Sequence, residues 1–472
     1  MLNNKVRLGD LIEVLTDYHA NGAYKKLKEN VELLDDEDYA LMVRTTNFEN
    51  NDFHDSVKYI SEHAYNFLEK SKVYPNDLIM NKIANAGSIY LMPDLQRPVS
   101  LAMNLFLIRV NEKLANPIYV YLYLKINEQY VKQFANGSVT KTITKEAVRN
   151  LEIFLPSREE QDIVVEQYLA LDNKINLNLK INQNLESIAQ AIFKSWFIDF
   201  DVVRAKIQAK QEGKDSELAA MCVISGKSEE ELQQMPEEDF AELQATAALF
   251  PDEIQKSELG EIPKGWNINN ISNVANIIKG KSYKSSELSK SKVALVTLKS
   301  FNRGGGYRLD GLKEFVGSYK AEQEVSPGEL IISYTDVTQS ADIIGKPAMV
   351  IADPKYENLV ISLDVAVLRP YKAYYKNFLY GLARTRRFQL HTKAHASGTT
   401  VLHLSKNAIP DFCFVDASEE VLRKYEEITQ PIFKKINEII QQNRTLNEIK
   451  LNVLPKLFSG EINVSLLNRA QV

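Results

Sequence analysis

The sequence carries a copy of part of itself. Shifted by 261 positions, residues 135–197 lie on residues 396–458 without a gap. ANGSVTKTITKEAVRNLEIF meets ASGTTVLHLSKNAIPDFCFV, and LKINQNLESIAQAIFKSWF meets IQQNRTLNEIKLNVLPKLF. Gly137 falls on Gly398, Lys145 on Lys406, Ala147 on Ala408, Ile175 on Ile436, Asn182 on Asn443, Leu185 on Leu446, Ile188 on Ile449 and Phe197 on Phe458. So long a period is not that of a solenoid, whose repeats cannot fold without neighbours. It predicts two copies of one unit, each a globular part followed by a long helix.

The helix reading rests on residues 157–200, which hold no Gly and no Pro. Their apolar set Tyr168, Leu171, Ile175, Leu179, Leu185, Ile188, Ile192 and Trp196 recurs at helical spacing. At about 1.5 Å per residue such a helix is roughly 60–65 Å long, better suited to spacing two domains than to lying inside one. Residues 416–458 repeat the pattern, with Pro431 and Pro455 expected to kink or segment the second helix. The two are expected to pair antiparallel, in coiled-coil fashion, through Ile175, Asn182, Leu185 and Ile192 on one and Ile436, Asn443, Leu446 and Val453 on the other. A polar Asn in such a seam favours the one register in which it meets its counterpart.

The resulting architecture is α+β: two duplicated domains with two long helices between them, related by a pseudo-twofold axis. Short apolar runs broken by turn residues fill residues 1–155, and residues 266–415 repeat the plan, VSPGELIISY answering VYPNDLIMNK and ISLDVAVLRP answering SLAMNLFLIRV. The middles of the two units do not align. Residues 156–201 form the first long helix, 202–265 an acidic, structured connector punctuated by Pro236, Pro251 and Pro263, and 416–472 the second helix and a tail. No apolar run reaches the ~18 residues of a membrane span. The two cysteines, Cys222 and Cys413, form no framework, so a reducing cytoplasm is expected.

The net charge of −5 hides a division. Residues 266–410 hold 20 Lys and Arg against 11 Asp and Glu, whereas residues 156–265 hold 11 against 22. One part suits a polyanion and the other a protein partner. In the second unit Lys279, Lys281 and Lys284 form one basic group, Arg303 and Arg308 flank a Gly run, and Arg384, Arg386, Arg387 and Lys393 lead into Thr399 and Thr400. Arg can address guanine bidentately, while Lys suits phosphate. Counterparts in the first unit are Arg44, Thr45, Asn47, Lys82, Asn85, Ser138 and Lys141; Asn can read adenine, although Asn, Ser and Thr equally build turns. No catalytic signature is present, and the six histidines lack metal-ligand spacing. A binding protein is the reading, with chemistry residing in partners.

The duplicated blocks, the LPSREEQ helix start, NQNLESIAQAIFKSWFIDFD, the ATAALFPDE and LGEIPKGW run, and LPKLFSGEI, taken in this order, resemble the specificity subunit of type I restriction-modification systems over nearly the whole chain. The resemblance implies that each globular unit is a target recognition domain reading half of a bipartite site in double-stranded DNA, and that the helices fix the spacer. It also implies assembly with two modification subunits that methylate adenine using S-adenosylmethionine, and with ATP- and Mg2+-dependent restriction subunits. No cofactor is expected in this chain itself. A motor-less methylase or a related restriction system would use the same kind of subunit. A scaffold that binds only proteins is the other alternative, against which the basic second unit argues.

Overall fold

The computed structural model describes residues 5–137, 140–338, 340–458 and 461–462. They form two compact units: one from the described residues of 1–177 and 442–472, the other from 178–441. Both division points fall inside the long helices, which span Arg158–Phe197 and Glu419–Asn452.

The first long helix begins at a reciprocal cap, in which Ser157 Oγ accepts from the Glu160 N–H at 3.3 Å and the Glu160 carboxylate accepts from the Ser157 N–H at 2.9 Å. It ends just before Phe200, which adopts a left-handed conformation at φ 56°. The second helix runs unbroken through Pro431, contrary to the segmentation expected there. Pro431 is exposed, so solvent can take up the carbonyl that loses its donor. Helix resumes at Leu454–Phe458, with Pro455 in the first turn, where a missing N–H costs nothing.

Within each unit the two helices pack antiparallel. In the first, Val164 and Val165 share a core with Leu454, Leu457 and Phe458, and Lys450 pairs with Asp172. In the second, Tyr425 lies against Phe193, Trp196 and Phe197 at 6.0, 6.1 and 5.1 Å between ring centroids. Ile175, Asn182, Leu185, Ile192, Ile436, Leu446 and Val453 are half-buried and Asn443 is buried, whereas some other members of the apolar set are not. Leu179 and Ile188 are 50% and 49% exposed, while their neighbours Asn178 and Ala189 are buried. Asn443 Nδ2 donates to the Ile175 carbonyl of the facing helix at 3.4 Å.

Each unit holds two four-stranded sheets of one plan. In the first unit, one sheet is ordered Ile12–Asp17, Leu105–Val110, Leu78–Asn81, Ile89–Leu91, all antiparallel. The other is ordered Tyr59–Ile60, Ala40–Val43, Val99–Leu101, Lys72–Val73, with its central pair parallel. The second unit repeats both orders, as Ala275–Lys279, Val365–Pro370, Leu330–Ser333, Pro347–Met349 and as Lys313–Glu314, Val293–Val296, Asn358–Ile361, Glu324–Val325, again with a parallel central pair. The duplication therefore extends through the middles that do not align in sequence.

One charged staple recurs at the same place. Arg109 grips Asp77 bidentately at 2.8 and 2.7 Å, and Arg369 grips Glu329 at 2.6 and 3.3 Å. Each ties the second strand of the antiparallel sheet to the turn before the third. In the second unit the connector helices Asp201–Gln211, Ser216–Ser225 and Glu237–Ala248 pack onto the Trp196–Trp266 core. The buried Lys206 ammonium donates to the carbonyls of Ala247 and Phe250, both at 2.9 Å, and so ends the last of these helices.

Candidate nucleic-acid interface

In the second unit the basic segments converge on the hairpin between Leu330 and Met349. Lys279, at the end of its strand, places Nζ 4.1 Å over the ring of buried Tyr334. Lys393 Nζ donates to the Ser340 carbonyl at 3.2 Å, and the Gly306 N–H donates to the Pro347 carbonyl at 2.9 Å. The Arg303 loop, the Lys393 helix and the Lys279 strand thus meet one connection.

That connection is held from inside by Asp336. Its carboxylate accepts from the N–H and Oγ1–H of Thr338, both at 2.7 Å, and from the N–H groups of Ile343 and Ile344. Burial pushes this carboxyl up, but the four donors outweigh it and hold the pKa below the ordinary value of 3.8. A depressed folded-state pKa means that the stabilisation is present above pH 4 and is lost as pH falls through the lower folded value. Asp336→Asn should cost about 2 kcal/mol at neutral pH, and its melting temperature should converge on that of the unsubstituted protein in acid. A constant difference between pH 7 and pH 3 would show that the charge is not what holds the loop.

The cations around the hairpin are poorly neutralised. Lys346 has its pKa lowered by burial and by the charges of Lys393 and Arg384. The Lys279 pKa is lowered by partial burial and by Lys406. Neighbouring cations that depress one another favour an incoming anion.

The other residues expected at the interface divide into paired and exposed ones. Arg384 lies 3.3 Å from Glu186 and donates to the Tyr380 hydroxyl at 3.2 Å, so it ties the recognition unit to the long helix instead of standing free. Arg308 is paired bidentately with Asp310. Arg387 stacks on Phe412, 5.1 Å from its ring centroid, and Arg386 is exposed beside it. Lys281 pairs its backbone with Ile361, and the Lys284 N–H is capped by Glu287. Arg303, Thr399 and Thr400 are exposed.

In the first unit Asn47 leaves no polar atom for a base. It is buried, its Oδ1 accepts from the Arg44 N–H at 2.9 Å, and its Nδ2 donates to the carbonyls of Asp52 and Ser56. Arg44 bonds the Ser56 carbonyl at 2.7 Å, and Thr45 opens the short helix Thr45–Asn50. Lys82 is paired with Asp17 at 2.9 Å. Asn85 and Lys141 remain exposed, and Ser138 lies outside the described residues. Gly137 and Gly398 serve the turn geometry: with φ of +131° and +137°, a Cβ would lie 2.3 Å from the Thr140 carbonyl oxygen and 2.0 Å from that of Val401.

Sequence reasoning overlooked Lys346, Lys406, Tyr334 and Asp336. Lys406 carried a signal, since it repeats Lys145; Lys346 carried none. Among the described residues no group of three or more His, Cys, Asp or Glu side chains is placed to hold a metal ion. No described helix is long and apolar enough to cross a membrane.

The chain thus holds two duplicated two-sheet units, the second with cationic loops gathered on one hairpin. Comparison with known proteins gives the class. Residues 2–187 match the family model described as the type I restriction modification DNA specificity domain. The chain is 29% identical over 414 residues to the type I restriction enzyme HindI specificity subunit of Haemophilus influenzae, covering 83% of this chain and 88% of the relative. It is 23% identical over 418 residues to the MjaIX specificity subunit of Methanocaldococcus jannaschii, covering 86% and 84%. A crystal structure of a type I restriction-modification system S subunit from M. genitalium shares the fold, with a TM-score of 0.51 at 14% identity over 97% of this chain and 98% of that one. Over most of its length the chain is thus similar to specificity subunits of type I restriction-modification systems, and its first part matches their DNA specificity domain.

Proposed function

We propose that the two units each read one half of a bipartite DNA site and that the paired long helices set the unread spacer between the halves. The observation carrying this reading is the repetition of one two-sheet plan, with a cation-rich hairpin in the second copy, on a chain whose long helices join the copies. Lys279, Arg303, Lys346, Lys393 and Lys406 are the proposed contacts of the second unit, with Asn85 and Lys141 in the first. Asn47, Arg308 and Arg384 are left out because their polar groups are spent inside the protein.

The complex would contain two modification subunits. In support, Ile188 and Ile449 repeat each other in sequence, and both are exposed on the long helices, at 49% and 39%. Two equivalent apolar positions suit two copies of one partner. S-adenosylmethionine would act on the modification subunits, ATP and Mg2+ on the restriction subunits, and the assembly would work in the cytoplasm.

A map of methylated adenines in the host genome, with and without this gene, tests the proposal. Loss of one bipartite motif is the expected result. An unchanged map in a host whose modification subunit is active would overturn it.

A further inference from the structure

The two units are built alike around one spot but charged differently there. Asp17 pairs in register with Phe106, and Lys279 with Ala366, on strands that occupy the same sheet position in each unit. The neighbouring positions correspond as well. The Ile143 N–H donates to the Lys82 carbonyl at 3.0 Å, and the Leu404 N–H donates to the Tyr334 carbonyl at 2.9 Å. Ile143 and Leu404 are duplicates at the 261-residue shift, as are Lys145 and Lys406. Asp17, Lys82 and Lys145 of the first unit therefore stand where Lys279, Tyr334 and Lys406 stand in the second.

In the first unit one carboxylate partly neutralises this spot. The Asp17 carboxylate takes Lys82 at 2.9 Å and Lys145 at 3.6 Å, and both ammoniums lie over the Phe106 ring, at 5.2 and 5.9 Å from its centroid. In the second unit a lysine, Lys279, stands in place of the carboxylate, and Tyr334 stands in place of Lys82. Lys279 is held over Tyr334, Lys406 follows two residues after the Leu404 bond, and among the described residues neither lysine has a carboxylate partner. Both are exposed, so the spot is open to a ligand.

We propose that Lys279 and Lys406 form a seat for a backbone phosphate of DNA, at the place where the first unit carries its own carboxylate. This deepens the proposed function and rests on it. Tyr334 holds Lys279 from below by its ring, so the lysine is aimed before the phosphate arrives. The consequence is an asymmetric grip: the second unit draws more of its affinity from phosphate than the first does.

The test is the salt dependence of DNA binding by the full-length chain with its modification partner, for the unsubstituted protein, Lys406→Met, Lys279→Met, Lys279→Asp and Lys406→Arg. Each Met variant should flatten the slope of log affinity against log salt by about 1, equally on target and non-target DNA. Lys279→Asp puts a carboxylate where the first unit has one and should flatten it at least as much, while Lys406→Arg keeps the slope. Both positions are on the surface, so thermal stability serves as the folding control. A slope unchanged in both Met variants, in protein that still selects its bipartite target, would overturn the seat alone. Absence of any sequence selection by the unsubstituted protein would sink the reading beneath it as well.

Discussion

Phe458→Ala is expected to destabilise the unit formed by the two ends of the chain by about 3–5 kcal/mol, the usual cost of emptying a large aromatic site in a core. Phe458 is only 1% exposed and stacks at 5.1 Å on Tyr119, in a cluster that also holds Val164, Val165, Leu454 and Leu457. Its duplicate Phe197 sits in the other unit, against Phe378 at 5.0 Å and Trp266 at 6.1 Å. Each substitution should therefore lower one calorimetric transition and leave the other near its original temperature. A shift below about 1 kcal/mol for Phe458→Ala would show that the second helix end is not a working part of that core.

The second large effect concerns Arg109. Its removal leaves the Asp77 carboxylate, whose side chain is 4% exposed, without its bidentate partner. Breaking a buried pair from one side costs about 3–5 kcal/mol, because the remaining charge stays desolvated. Arg109→Met should approach that range in chemical denaturation, and adding Asp77→Leu should recover much of the loss. A double variant no better than the single one would mean that Arg109 matters through its 3.2 Å bond to the Lys72 carbonyl instead.

Much of the architecture was legible because a duplicated pattern constrains it twice. The long helix announced itself by spacing and by the absence of Gly and Pro, and a Ser–Glu cap marks its start. The shared sheet plan of the two middles was hidden. A strand position asks only for an apolar or β-branched side chain on a given face, so Ala40–Val43 and Val293–Val296 keep one place in the sheet with little identity. Within the helical apolar set Leu179 and Ile188 are exposed while Asn178 and Ala189 beside them are buried, a difference that hydropathy does not favour.

The cluster of cations was legible as a region and not as residues. Arg303, Lys279 and Lys393 gather at one hairpin as their basic surroundings suggested. Asn47 and Arg384 look as suitable as any of them in sequence. What disqualifies them is the identity of their partners, Asp52 and Ser56 for one and Glu186 for the other, and sequence does not show where a polar group is already bonded. Asp336 shows the converse: an acid in a basic region reads as unhelpful, yet its four accepted hydrogen bonds set the loop that carries the cations.

The division of the chain at Leu177 and Gln441 also governs the order in which it matures on the ribosome. The unit from Asn178 to Gln441 is continuous and has all its parts once its last residue emerges. The unit that begins first needs Leu454, Leu457 and Phe458 from near the end of synthesis to cover Tyr119, Val164 and Val165. At ~5–20 residues per second, that apolar face waits some tens of seconds for its cover. Nascent chains are therefore most exposed to misassociation through the half that was made earliest, and a chaperone would meet its main demand there.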